Sequence, residues 1–169
     1  GHDRTEVLKI LEAALAKEEM NNDLYNATEK SEVLRLLQEG ADVNYKETEV
    51  GSGFTRLHLA CEQSEVDLVS VLIEKGADLS AKDSDGETPM DVAKAMHAKG
   101  HDRTEVLKIL EAALAKEGLR LAMYAKPVSK KALDAAVAKA EVDAFLGSDS
   151  EAQELIARAK MAALHLEQA

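Results

Sequence analysis

The chain has 169 residues and a net charge of −11, with a pI near 4.9 and only 3% aromatic residues. This length suits one solenoid, or one domain with an extension. The acidity argues against nucleic acid and anionic membranes as partners. No apolar run nears the roughly 18 residues of a membrane span and no signal peptide is visible, so a soluble, cytoplasmic protein is expected. The one cysteine, Cys61, permits no intrachain disulfide and reads as a small buried hydrophobe.

Residues 1–18, GHDRTEVLKILEAALAKE, recur without a change as residues 100–117. An unbroken duplication at this distance points to engineering or to a very recent copying event. Met20-Asn21-Asn22-Asp23 looks like the former start of a chain. The repeated stretch is amphipathic. Val7, Leu8, Ile10, Leu11, Ala14 and Leu15 share a broad face, opposite Glu6, Lys9, Glu12 and Lys17. Asp3 or Thr5 suits its start. The second copy repeats the pattern at Val106, Leu107, Ile109, Leu110, Ala113 and Leu114. Only Glu19 to Asn22 separate the first copy from the next helix. It is therefore expected to fold back as a helical cap or to continue as one long helix.

Leu24 and Ala27 belong to that next helix, and Val33, Leu34, Leu36 and Leu37 to a second. A loop with Gly51 and Gly53 leads to Thr55, an N-cap residue before a helix over Arg56–Gln63. Ser64-Glu65 marks a tight turn. Val66, Leu68, Val69, Val71, Leu72 and Ile73 then follow the helical period, and Gly76 stands at the C-cap. The phrase restarts at Gly86, 33 positions after Gly53. Thr88-Pro89-x-Asp91 opens another helix with a cap and a proline in its first turn, and Lys94–Arg103 reads as a long turn before the second copy.

Beyond Gly118, Leu119, Leu121, Ala122 and Tyr124 extend the preceding helix, since one glycine costs only about 1 kcal/mol. Lys126-Pro127 stops it. Ser129 caps a helix of roughly Lys130–Leu146 with Leu133, Ala136, Val137, Ala140, Ala144 and Phe145 apolar, ended by Gly147. Ser148-x-x-Glu151 reads as a capping box for a last helix to about Glu167. Its buried stripe is expected to be Leu155, Ile156, Ala159, Ala162, Ala163 and Leu166.

Thr55-Arg56-Leu57-His58-Leu59-Ala60 and Thr88-Pro89-Met90-Asp91-Val92-Ala93 resemble the T-P-L-H-x-A phrase of ankyrin repeats. Gly40-Ala41-Asp42-Val43-Asn44 and Gly76-Ala77-Asp78-Leu79-Ser80 resemble that family's G-A-D-V-N turn. The resemblance covers about Asn21–Glu117. It implies an all-α, ankyrin-type helical solenoid with short hairpin loops, here extended by a C-terminal helical hairpin. The divisions expected are a helix copy over 1–19, about three repeats over 20–117, and the extension over 118–169. The first finger, between Asn44 and Thr55, is three residues longer than the one between Ser80 and Thr88.

The resemblance also implies protein binding rather than catalysis, by hairpin tips and the exposed side of each first helix. Carried over by position, this nominates Tyr45, Gly51, Ser52, Phe54, Glu62 and Gln63, then Lys82, Ser84, Asp85, Glu87, Lys94 and Ala95. Phe54 is either an aromatic anchor for a partner or packed back on its neighbour. Arg56, standing where the family has proline, is taken as a further exposed candidate. His58 resembles the motif histidine that bonds to backbone and threonine. Its counterpart in the next repeat is Asp91, which leaves the bonding there open.

No nucleophile is assembled with a base, so no catalytic residue, cofactor or metal site is expected. His97 and His101 have i,i+4 spacing, but Gly100 interrupts them and no third ligand is near. Residues 19–99 hold eight basic against seventeen acidic side chains, a net −9. A basic or mixed partner would meet this part fastest, although solubility alone accounts for such charge. Two readings follow. One is a non-catalytic binding or scaffold module with helical caps at both ends. The other is a self-assembling or switching protein whose identical helices compete for one docking groove.

Overall fold

A computed structural model describes residues 4–48, 51–125, 129–142 and 149–167. They form eight α-helices: α1 Arg4–Asn26, α2 Lys30–Glu39, α3 Arg56–Gln63, α4 Val66–Glu74, α5 Pro89–Ala98, α6 Thr104–Tyr124, α7 Lys130–Val142 and α8 Ser150–Glu167. Among the described residues the extended pairing is a single antiparallel bridge, Lys46 with Thr55. The chain divides into two compact units, residues 1–106 and 107–169.

In the first unit short helices gain an interior only by stacking. Leu24, Val33, Leu36, Leu57, Ala60, Leu68, Val69, Leu72 and Ala93 are all buried. A short helix is marginal alone, so these apolar faces supply its stability through packing. The helix ends follow from local chemistry. Gly40 adopts φ 106° and closes α2, its amide and that of Ala41 returning to the Leu37 and Leu36 carbonyls. Thr55 and Thr88 each accept a hydrogen bond from the third helical amide of α3 and α5, and His58 and Asp91 reach back to complete a capping box. Asp91 thus replaces the histidine at the cap without loss of the bonding pattern. Its carboxyl is held below the usual range by the Thr88 amide and hydroxyl.

An Asx ladder ties the repeats together. Asn44 Oδ1 accepts from the Asp78 amide at 2.7 Å. One step earlier, Asn21 Oδ1 accepts from the Asp42 amide at 2.7 Å. Asn21 lies on α1 and does the work of the turn asparagine of a preceding repeat.

Of the two arrangements open for the first copy, the structure shows the continuous helix. Glu18 to Asn22 contain neither glycine nor proline, so α1 runs unbroken through Met20. Its buried residues are Asn21 and Leu24, and residues 4–19 are exposed. The first copy therefore covers nothing, contrary to the expectation of a cap at this end. The second copy lies differently: Val106 and Leu110 are 0% and 1% exposed.

One further boundary differs from expectation. Helix α5 runs to Ala98, because Ala93, Ala95, Met96 and Ala98 favour helix; Gly100, at φ 90°, then turns the chain. The connection to α6 is therefore shorter than the expected Lys94–Arg103 turn. Arg103 Nη2 donates to the Glu62 carbonyl at the C-terminus of α3, and Ser64 Oγ donates to the Asp102 carbonyl at 3.3 Å.

The second unit has a core of Ala112, Ala115, Leu119, Leu133, Val137, Ala140, Ala152, Leu155, Ala159 and Ala163, with Ala136, Ile156 and Ala162 packed at its edge. Helix α6 passes through Gly118 as expected. Ser129 Oγ accepts from the Ala132 amide at 3.4 Å. The cap of α8 is Asp149, whose Oδ1 accepts from the Glu151 and Ala152 amides at 2.9 and 3.3 Å. Lys116 pairs with Asp149, lowering that carboxyl's pKa, and Arg120 pairs with Glu151. Leu166, expected on the buried stripe, is exposed. Lys126, Pro127, Ala144, Phe145, Gly147 and Ser148 lie outside the described residues.

Candidate protein-binding surface

The two fingers are built as one object. In the first, Glu47 N donates to the Phe54 carbonyl at 2.9 Å. Ser52 Oγ donates to Glu47 Oε2 at 3.1 Å and accepts from the Phe54 amide at 3.2 Å. In the second, the Asp83 carboxylate accepts from the Asp85 and Glu87 amides, both at 2.9 Å. The three extra residues of the first finger give it reach. The Ser84 amide donates to the Ser52 carbonyl at 3.0 Å, and Ser84 Oγ donates to the Gly51 carbonyl at 2.7 Å. Lys46 Nζ donates to the Lys82 carbonyl at 2.7 Å.

His58 joins the fingers to α3. Its Nδ1 accepts from the Thr55 amide at 3.1 Å, so Nε2 carries the proton and donates to the Glu87 carbonyl at 3.2 Å. Burial holds its pKa below the ordinary value. Phe54 stacks on His58 with ring centroids 5.3 Å apart. It is half-buried, packed back on its own repeat rather than projecting as an anchor.

The other nominated residues separate into three groups. Gln63, Lys82, Ser84, Asp85, Glu87 and Lys94 are exposed, as is Gly51. Tyr45, Ser52, Glu62 and Ala95 are half-buried. Arg56 is 2% exposed and so is removed from the surface. Its Nε and Nη2 donate to the Ala27 carbonyl at 3.0 and 2.8 Å, and Nη2 pairs with Glu65 Oε2 at 2.7 Å. The interior gives this guanidinium partners at Nε and Nη2, while its buried Nη1 has no hydrogen-bond partner.

Two residues of this surface escaped the sequence reading. Tyr25, half-buried on α1, lies beside the Ser52 side chain, and burial raises its pKa. Glu47 is buried beneath the first finger. Neither lies in the repeat phrase, and only the fold brings α1 beside the long finger. Cys61 is fully buried and its thiol is pushed up to about 12 by desolvation. His97 ends up on α5 and His101 beyond its terminus. Among the described residues no group of three or more His, Cys, Asp or Glu side chains is placed to hold a metal. No helix described here is long and apolar enough to cross a membrane.

Comparison with known proteins agrees with this architecture. The family model "Ankyrin repeats (3 copies)" matches residues 24–121, more than half of the chain. The BTB/POZ domain and ankyrin repeat-containing protein NPR3 of Oryza sativa subsp. japonica is 39% identical over 75 residues, 44% of this chain and 12% of that protein. An ankyrin repeat-containing protein of Schizosaccharomyces pombe is 34% identical over 70 residues, 41% of this chain and 32% of that protein. The 2-5A-dependent ribonuclease of Mus musculus is 37% identical over 78 residues, 44% of this chain and 10% of that protein. The matches thus span a third or less of these relatives' lengths. Repeats of this kind are protein–protein interaction modules and are in general non-catalytic. The Thr55–His58 cap sits in the family's own phrase, Asp91 keeps that cap in the next repeat, and the chain belongs to the ankyrin repeat family.

Proposed function

We propose that the chain is a non-catalytic protein-binding or scaffold module. Its repeats occupy 20–117, flanked by the helix copy over 1–19 and the extension over 118–169. The partner surface is formed by Tyr45, Ser52, Glu62, Gln63, Ser84, Asp85, Glu87 and Lys94, with Phe54 at its margin and Tyr25 extending it. The observation that carries this reading is the union of the fingers through Ser84 and Lys46, which presents these side chains on a pre-organised surface. The exposed acids Asp85 and Glu87 favour a partner of basic or mixed charge. The test is site-specific photo-crosslinking from Gln63, Glu87 and Lys94, with the exposed Asp67 and Glu74 of α4 as controls. A partner captured from the first set alone supports the reading; equal capture from α4 overturns it.

A second reading concerns the duplicated helix. The copies start 99 residues apart, three times the 33-residue period. This favours copying in register with whole repeats, by engineering or by a recent event. The buried Val106 and Leu110 show the second copy packed, while the first is bare. The first copy is then a separate surface through which the chain associates with itself. Mass that rises with concentration supports this; an unchanging monomer overturns it.

A further inference from the structure

We infer that the bare face of α1 is the seam of a two-fold dimer, in which a second copy of this chain lays its own α1 antiparallel across it, centred on Leu11. This rests on the self-association reading above and supplies its geometry. Val7, Leu8, Ile10, Leu11 and Leu15 are 47–66% exposed. A row of five large aliphatics on one helix is uncommon without a cover. The same five side chains in the second copy are buried or half-buried as Val106, Leu107, Ile109, Leu110 and Leu114. The segment is thus one that this fold packs wherever a neighbour is at hand.

The occupant follows from the face's self-complementarity. Turn a second α1 antiparallel about Leu11, and each residue meets the one equally far beyond the centre. Leu11 meets Leu11, Val7 meets Leu15, Leu8 meets Ala14, and Arg4 meets Glu18. Val7, Leu8, Leu11, Ala14 and Leu15 thus oppose one another, Ile10 falls beside the seam opposite Glu12, and both ends close with an opposite charge pair. A parallel arrangement would set Arg4 against Arg4 and Lys9 against Lys9.

Charge favours the same place. Residues 19–99 carry −9, whereas residues 1–18 hold three basic against four acidic side chains, a net −1. Two copies of a chain with net charge −11 approach with less repulsion through this helix than through the acidic repeats. From Val7 to Leu15 the seam is only about 12 Å long at 1.5 Å per residue. It is smaller than a standard interface, so the dimer is weak and fills at high protein concentration. A two-fold contact also closes on itself and stops at two copies.

The test is sedimentation equilibrium of the full chain from micromolar to millimolar concentration. The expected result is a monomer–dimer equilibrium with no larger species. Leu11→Arg sets two like charges at the seam's centre and should weaken the dimer at least tenfold. Because Leu11 is 54% exposed, circular dichroism should remain unchanged. Arg4→Glu and Glu18→Arg should each weaken association, and the double exchange should restore it. A strict monomer at millimolar concentration, or a dimer indifferent to Leu11→Arg, overturns both this inference and the self-association reading. A dimer lost in Leu11→Arg but not restored by the double exchange, or growth beyond two copies, overturns the antiparallel seam alone and leaves α1 as the associating surface.

Discussion

Glu65 Oε2 lies 2.7 Å from Arg56 Nη2, and the same guanidinium binds the carbonyl of Ala27. One buried side chain thereby joins the end of α1 to the start of α4. Removing one partner of such a pair leaves a charge without its counter-ion. Glu65→Ala should cost about 3 kcal/mol in urea unfolding, the lower end of the buried-pair range because the Glu65 side chain is 20% exposed. Arg56→Met, made in the Glu65→Ala background, should recover part of that loss by removing the stranded charge. A double variant less stable than Glu65→Ala by the full cost of a separate site would show that the two residues are not coupled.

The His58 cap should make stability depend on pH. Nδ1 accepts from Thr55 N, so protonation at that atom sets two donors against each other. Burial lowers the folded pKa below the ordinary 6.5. The unfolded state therefore binds the proton first, and stability falls as pH drops below 6.5 toward the folded value. Above 6.5 this contribution is fully present. Asp78, lowered chiefly by its hydrogen bond from Ser80, acts in a separate window: its contribution is held above 3.8 and lost as pH falls through its folded value. Urea midpoints between pH 7.5 and 5 should decline in the parent chain and flatten in His58→Asn; parallel slopes would assign the decline elsewhere.

How much of this was legible in the sequence depends on how local each signal is. The helix Arg56–Gln63 was read to the residue because Thr55 opens it and Ser64 ends it, both from neighbouring atoms. The Thr88 cap, the passage of α6 through Gly118 and the burial of Cys61 were legible for the same reason. Arg56 was not. Its place inside depends on Ala27 and Glu65, 29 and nine positions away, and position in the repeat phrase says nothing of them. Phe54 turned inward because His58 offered a ring to stack on. For the first copy the continuous helix was one of two arrangements legible in the sequence, but its exposure was not, since an amphipathic face states what a helix can bury and not whether a neighbour exists. Repeat phrases thus locate the surface, but the side chains that shape it, Tyr25 and Glu47, come from outside them.

Gly53 should be less replaceable than Gly51. Both have positive φ, +65° and +77°, where any side chain is strained. A Cβ on Gly53 would also meet Ser84 Oγ at 2.9 Å and Ser84 N at 3.0 Å, while one on Gly51 meets nothing within 4 Å. Gly51→Ala should cost about 1 kcal/mol from backbone strain alone. Gly53→Ala should cost more, and should loosen the joint between the fingers. Hydrogen exchange at the Ser84 amide reads this directly, since that proton is bound to the Ser52 carbonyl. Equal protection in the two variants would show that the joint does not depend on the close approach at Gly53.

The duplicated helix allows one substitution to be made twice in identical local sequence. Leu11 and Leu110 have the same neighbours along the chain for at least seven residues on either side, so helix propensity and unfolded-state effects cancel between them. Only the surroundings differ, 54% exposed against 1%. Leu110→Ala should cost 2–5 kcal/mol, the usual range for truncating a buried leucine. Leu11→Ala, measured at micromolar concentration where self-association is negligible, should lie within about 0.5 kcal/mol of the parent. Two equal losses would mean that the first copy is packed in solution as the second is. Two negligible ones would mean that Leu110 has no tight surroundings to lose.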